Sequence, residues 1–102
     1  MLERIAFLKL LPAHATDDTR RTIAARAMDT LRPLPGVVSL TVGTATDADT
    51  AGAWDLCITA AFASVEDAAR YRAHPVHRRF VDEYIAPLCE ARKAWSFTTA
   101  RR

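Results

Sequence analysis

Two hydrophobic periods alternate along this chain, and the order in which they alternate leaves few folds open. Residues 5–11 are almost wholly apolar apart from Lys9 and stop at Pro12, the pattern of a strand covered on both faces. Residues 16–31 then change to helical spacing. Thr16 ahead of Asp17 and Asp18 supplies a cap with acids in the first turn, and Ile23, Ala27 and Leu31, extended by Leu34, form one apolar stripe. Pro33 and the pair Pro35-Gly36 end this helix and turn the chain. Residues 37–44 alternate with period two, Val38, Leu40 and Val42 against Val37, Ser39 and Thr41. Residues 45–53 are small and polar and read as an exposed loop. Residues 54–62 form a third strand, with Leu56, Ile58, Ala60 and Phe62 on one face and Cys57, Thr59 and Ala61 on the other.

Ser64 caps a second helix that carries Glu66 and Asp67 in its first turn and runs to about Ala73. Pro75 cannot continue that helix but suits the first position of a new one. Val76, Phe80, Tyr84 and Leu88, with Val81 and Ile85 beside them, give the third helix a broad apolar stripe that ends near Pro87. Residues 94–99 close the chain as a fourth strand, Trp95 and Phe97 on one face and Ala94, Ser96 and Thr98 on the other. Strand, helix, strand, strand, helix pair, strand is the order of an α+β ferredoxin-like sandwich, a four-stranded antiparallel sheet with helices on one face. The second sheet face is almost free of charge, so it too needs a cover. The same face of a second copy supplies one, which predicts a homodimer joined through its sheet faces as a dimeric α/β barrel.

Length and composition fit that frame and remove several others. A chain of 102 residues is the size of one domain, predicted to span residues 1–102. The formal net charge is +2, and its one dense basic cluster, Arg70, Arg72, Arg78 and Arg79, is interleaved with helix-forming residues. That is a solvated helix face rather than a basic stripe with aromatic platforms, so no nucleic-acid partner is expected. No apolar run approaches the ~20 residues that span a bilayer, so no membrane partner is expected either. The chain enters its first strand directly, without a leader pattern, and a cytoplasmic location is the expectation. Cys57 and Cys89 stand outside any CxxC spacing, and Cys57 reads as a buried free thiol. With three glycines in all there is no phosphate-cradling loop, and no cofactor is expected.

The phrases Phe62-Ala63-Ser64-Val65-Glu66-Asp67-Ala68 and Tyr71-Arg72-Ala73-His74-Pro75-Val76-His77, then Phe80 and the closing Trp95-Ser96-Phe97, resemble the stress-responsive dimeric α/β-barrel (Dabb) domain family. The turn Leu34-Pro35-Gly36-Val37-Val38 fits the same pattern, so the resemblance covers essentially the whole chain. It implies a ferredoxin-like homodimer with a small apolar cavity between sheet and helices. Many members of that family have no assigned activity. Its polyketide cyclases use the second histidine of the motif with a tyrosine as an acid/base pair, roles that correspond here to His77 and Tyr71. Those cyclases also use histidines on the first and third strands, where this chain has Arg4 and Leu56.

Each candidate residue also has a plain structural reading. His77 is either a general base, with an imidazole that titrates near neutrality, or a side chain bonded near the start of its helix. His74, directly before Pro75, is placed to cap the new helix and otherwise lines the cavity. Tyr71 either offers its hydroxyl to the cavity or closes the core. Phe62 and Phe80 are candidate cavity lining, and these two with Trp54, Trp95 and Phe97 read as core rather than ligand platform. A metal site on His74 and His77 needs further ligands such as Asp82 or Glu83, whose spacing is not distinctive, so no metal is predicted. Three functions follow: a binder of a small apolar or aromatic molecule, with activity unassigned; a cofactor-independent cyclase, lyase or monooxygenase using His77 and Tyr71; or a structural module whose cavity is filled by side chains.

Overall fold

A computed structural model describes residues 1–100. One antiparallel sheet holds four strands, β1 (Leu2–Leu10), β2 (Val37–Thr44), β3 (Leu56–Phe62) and β4 (Cys89–Thr98), in the order β2-β3-β1-β4. The helices are α1 (Asp17–Thr30), α2 (Ala48–Ala53), α3 (Val65–Ala73) and α4 (Pro75–Phe80), the last running into a π-helical turn over Val81–Ile85. This is the α+β ferredoxin-like sandwich predicted from the periodicities, with the core between one sheet face and α1, α3 and α4.

The caps Thr16 and Ser64 act where the sequence puts them, and Asp47 caps a helix the sequence did not reveal. Thr16, Ser64 and Asp47 each accept a hydrogen bond from the backbone N–H three residues on, satisfying donors that a helix start leaves free. Gly36 sits at φ +88° with the Val37 N–H bonded to the Leu34 carbonyl at 3.2 Å. That is a type II turn with Pro35 in its second position, and a Cβ on Gly36 would lie 3.1 Å from that of Asp67.

Cross-strand register assigns the two faces. Leu2, Arg4, Ala6 and Leu8 of β1 oppose Phe62, Ala60, Ile58 and Leu56 of β3 on the helix-covered face. Ile5 and Phe7 oppose Thr59 and Cys57 on the open face, where Ile5 also pairs with Trp95 and Glu3 with Phe97 of β4. Leu8, Leu10, Ile23, Leu31, Leu56 and Phe62 form the best-buried part of the core.

Several local expectations are corrected. A register shift between Val37 and Ser39 moves Val37 to the covered face with Leu40 and Val42 and leaves Val38 56% exposed. One bulged residue exchanges the faces on either side of it. The segment predicted as a bare loop contains α2, too short to show a period, and Trp54 ends that helix instead of beginning β3. β1 begins at Leu2, three residues before its apolar run, and β4 begins at Cys89 rather than at residue 94. From Glu90 onward β4 is an exposed edge strand, and its first half, Glu90 to Lys93, had no apolar alternation to reveal it. The predicted third helix widens after Phe80, where the Ala86 N–H bonds the Val81 carbonyl at 2.8 Å. Pro87 accounts for this, since it removes one helical donor and its ring crowds the carbonyl four residues back. Trp95 and Phe97 are 47% and 56% exposed in the single chain, and Cys57 is half-buried on the open face, so none of these three belongs to the core.

Candidate functional site

The helix layer covers β2, β3 and β1 but stops short of β4. The result is a trough whose floor is β1 and β4 and whose wall is α3, α4 and the π-helical turn. It encloses about 570 Å³ and is lined by Arg4, Ala6 and Leu8 of β1, Arg92 and Ala94 of β4, and Arg72, His77, Arg78, Val81, Asp82 and Ile85 of the helical side. That volume lies within the range of small-molecule sites. A second, inner chamber of about 50 Å³ shares Arg4, Ala6, His77 and Ile85 with the trough, and Leu31, Ile58, Ala60, Tyr71 and Phe80 complete it. The inner end is apolar and the outer end is cationic.

His77 lines both spaces, and Tyr71 and Phe80 line the inner one. The Tyr71 and His77 rings are 4.6 Å apart, and Phe62 packs behind Tyr71 at 5.0 Å. Tyr71 is 4% exposed, and burial pushes its phenol up to about 12, with the Arg4 charge acting weakly the other way. Its hydroxyl therefore keeps its proton at neutral pH. Burial also lowers the His77 imidazole below the ordinary histidine value of 6.5, and the guanidiniums of Arg4, Arg72 and Arg92 add to this, while a hydrogen bond to the backbone of Arg72 opposes it. The net effect is a neutral imidazole at physiological pH. Arg4 is itself half-buried, and burial first, then the Arg72 charge, lower its pKa.

Two of the predicted lining residues stand elsewhere. Phe62 is fully buried and reaches neither space. His74 is turned into the backbone, where its Nδ1 accepts the Val76 N–H at 3.1 Å, so it caps α4 as one of its two readings required. Replacing His74 with Ala is expected to cost about 0.5–2 kcal/mol, and with Asn much less, because Asn can accept the same bond. Urea denaturation of both variants checks this, and equal losses would show that the cap contributes nothing.

The residues that sequence reasoning missed are the arginines. Arg4 was legible in part: it stands at an even position of β1, in step with Leu2, Ala6 and Leu8, and a charge on a helix-covered strand face requires either a partner or a wet cavity. Arg72 and Arg92 look like ordinary surface residues until the fold converges them. Cys89 is half-buried near this end of β4, and burial raises its thiol above the usual range, which leaves it a poor nucleophile. Among the described residues no three His, Cys, Asp or Glu side chains converge as a metal site would need, and no helix is long and apolar enough to cross a membrane.

Comparison with known proteins gives the architecture a place. No curated protein sequence matches the chain. A dimeric ferredoxin-like protein of unknown function from Thermobifida fusca superposes with a TM-score of 0.82 at 21% identity, over 96% of this chain and 90% of the other. A Dabb-family protein from Mesorhizobium loti superposes with a TM-score of 0.80 at 17% identity, over 98% and 97% of the two chains. The hydroxynitrile lyase of Passiflora edulis superposes with a TM-score of 0.79 at 16% identity, over 99% and 94%. These likenesses establish the fold alone. The model of the Stress responsive A/B Barrel Domain matches residues 2–98, so the chain belongs to that family.

Proposed function

We propose that this protein is a homodimer that binds a small organic molecule in the space between sheet and helices, with Tyr71 and His77 where the trough meets the core. The observation that carries this reading is a trough of about 570 Å³ that shares Arg4, Ala6, His77 and Ile85 with the smaller chamber beside Tyr71, so that a ligand in the trough lies against His77 at the edge of the core. Titration with naphthol, followed by NMR, tests it. The Tyr71, His77 and Ile85 resonances are expected to shift, and Ala94→Trp, which fills the trough from an exposed strand position, is expected to abolish the shifts. Shifts confined to the open sheet face would remove the reading.

A second reading, a cofactor-independent acid–base enzyme, is favoured by one specific pairing: an imidazole kept neutral beside a phenol kept protonated. His77 would then accept a proton from a carbon next to a carbonyl, and the Tyr71 hydroxyl would donate to the oxygen on which charge develops. The fold it shares with a hydroxynitrile lyase makes the chemistry reasonable without deciding it. Deuterium incorporation from solvent into benzoylacetone is a direct probe of proton abstraction. Any protein-catalysed exchange is expected to fall about 10²–10⁴-fold in His77→Ala and to decline in acid as the imidazole protonates, below the ordinary histidine range. Equal exchange rates in wild type, His77→Ala and Tyr71→Phe would end this reading and leave the binder.

A further inference from the structure

We propose that the ligand of this cavity carries an oxyanion, a carboxylate or a phosphate, on an apolar or aromatic body, and that Arg4, Arg72, Arg78 and Arg92 hold the oxyanion in the trough. This rests on the cavity-binding reading above and adds the ligand's chemical class.

The charges do not balance locally. Four arginines from four different elements line the trough, against one acid, Asp82. Lys93 also lines it, but its register partner Phe7 belongs to the open face. None of the four arginines pairs with a carboxylate among the described residues. Elsewhere Arg20, Arg21 and Arg70 each pair with an aspartate three residues earlier, whereas Arg26, Arg32 and Arg79 pair with no carboxylate among the described residues, so what sets the trough apart is that four unpaired guanidiniums line one space. The acids are placed elsewhere, and the trough keeps its positive charge.

Holding such a group together costs free energy. Arg4 is half-buried on a helix-covered strand face, its one side-chain hydrogen bond is to the Ser96 hydroxyl at 3.2 Å, and the Arg72 charge acts on it unfavourably. Like charges brought together repel, most where Arg4 is half-buried, and an anion placed between them relieves the repulsion while gaining charge-assisted hydrogen bonds from planar donors suited to carboxylate and phosphate oxygens. The inner chamber has no acid, and beside Arg4, Tyr71 and His77 its wall is apolar, from Ala6, Leu31, Ile58, Ala60, Phe80 and Ile85. The fitting ligand is thus an amphiphile whose apolar body lies in the trough against Ala6, Leu8, Val81 and Ile85, with its tip toward the inner chamber beside His77, and whose oxyanion sits among the arginines.

Calorimetric and NMR titration of the full chain with naphthoate, naphthyl phosphate and naphthamide separates the possibilities, since the three share a body and differ in the head. At least one anion is expected to bind roughly tenfold or more tightly than the neutral amide, and whichever of the two binds better distinguishes carboxylate from phosphate. Arg72→Gln/Arg92→Gln alters two exposed positions, so the fold is expected to stand, and the preference for anions should fall to near unity. Equal affinity for all three probes with His77 still perturbed would overturn the oxyanion assignment and leave cavity binding intact. A preference that survives in the double variant would overturn the role of these arginines. Failure of every probe to perturb Tyr71 and His77 would remove the cavity reading together with the assignment.

Discussion

Replacing Asp55 with alanine is expected to destabilise the chain by about 3–5 kcal/mol, the range for breaking a buried ion pair from one side. Asp55 is fully buried, yet its carboxylate is completely used. Oδ2 accepts the Leu10 N–H at 2.8 Å and lies 3.5 Å from the Lys9 ammonium, while Oδ1 accepts from Arg20 Nε and Nη2 at 3.1 and 2.9 Å. It therefore fastens the end of β1, the start of β3 and the first turns of α1 at one point. Lys9 completes the arrangement by donating to the Ala51 carbonyl at 2.6 Å, which ties α2 to the same place. Removing the carboxylate leaves a guanidinium and a backbone donor without their acceptor, and a domain with a total stability of about 5–15 kcal/mol cannot absorb much of that. Urea denaturation measures it, and a loss below about 1 kcal/mol would place Asp55 among surface ion pairs.

The same group sets an acid limb. Burial alone would raise its pKa, but the Leu10 and Arg20 hydrogen bonds and the Lys9 and Arg20 charges more than offset that and hold it below the ordinary value of 3.8. A carboxyl with a lowered folded-state pKa favours the native state fully above its unfolded-state value. That contribution is lost as pH falls from there through the folded-state value. Asp55→Asn should accordingly lose stability at neutral pH and show a shallower decline in acid than wild type.

Substituting glutamate for both Trp95 and Phe97 is expected to turn the proposed dimer into a monomer at micromolar concentration. On the open sheet face Phe7 lies 5.6 Å from Trp54 and 6.1 Å from Trp95, ring centre to ring centre. Ile5 is the register partner of Trp95, and the exposed Phe97 extends the patch along β4. Aromatic side chains at a two-fold interface each count twice, and burying carboxylates in their place adds desolvation to the lost contact. About 4 kcal/mol or more, roughly a thousandfold in the dissociation constant, is the expected scale. Sedimentation equilibrium checks it. A wild-type chain that is already monomeric, or a variant that dimerises as tightly, would sink the sheet-to-sheet dimer.

How much could be read in advance differs between fold and site, for physical reasons. The helix starts were legible because a cap is a local interaction: Thr16, Ser64 and His74 each bond a backbone N–H two or three residues away. Covered strand faces were legible wherever alternation was unbroken, as over Leu56–Phe62. Val38 was misassigned because a bulge is a property of a strand pair, and the first half of β4 escaped notice because it buries neither face.

Sequence by itself determined the order of the strands and main helices, the sheet with its covered face, a second face with little charge that needs a cover, and the Tyr71-to-His77 segment beside a break in the helix. All of these depend on residues within a few positions of one another or on a simple period. Tertiary structure alone decided that Asp55 joins three elements and that Arg4, Arg72, Arg78 and Arg92 share one trough. Those arginines lie up to 88 positions apart in the chain, and nothing local in any of them marks the others. Their proximity is a consequence of strand register and helix packing, and with it comes the charge that a bound molecule would have to match.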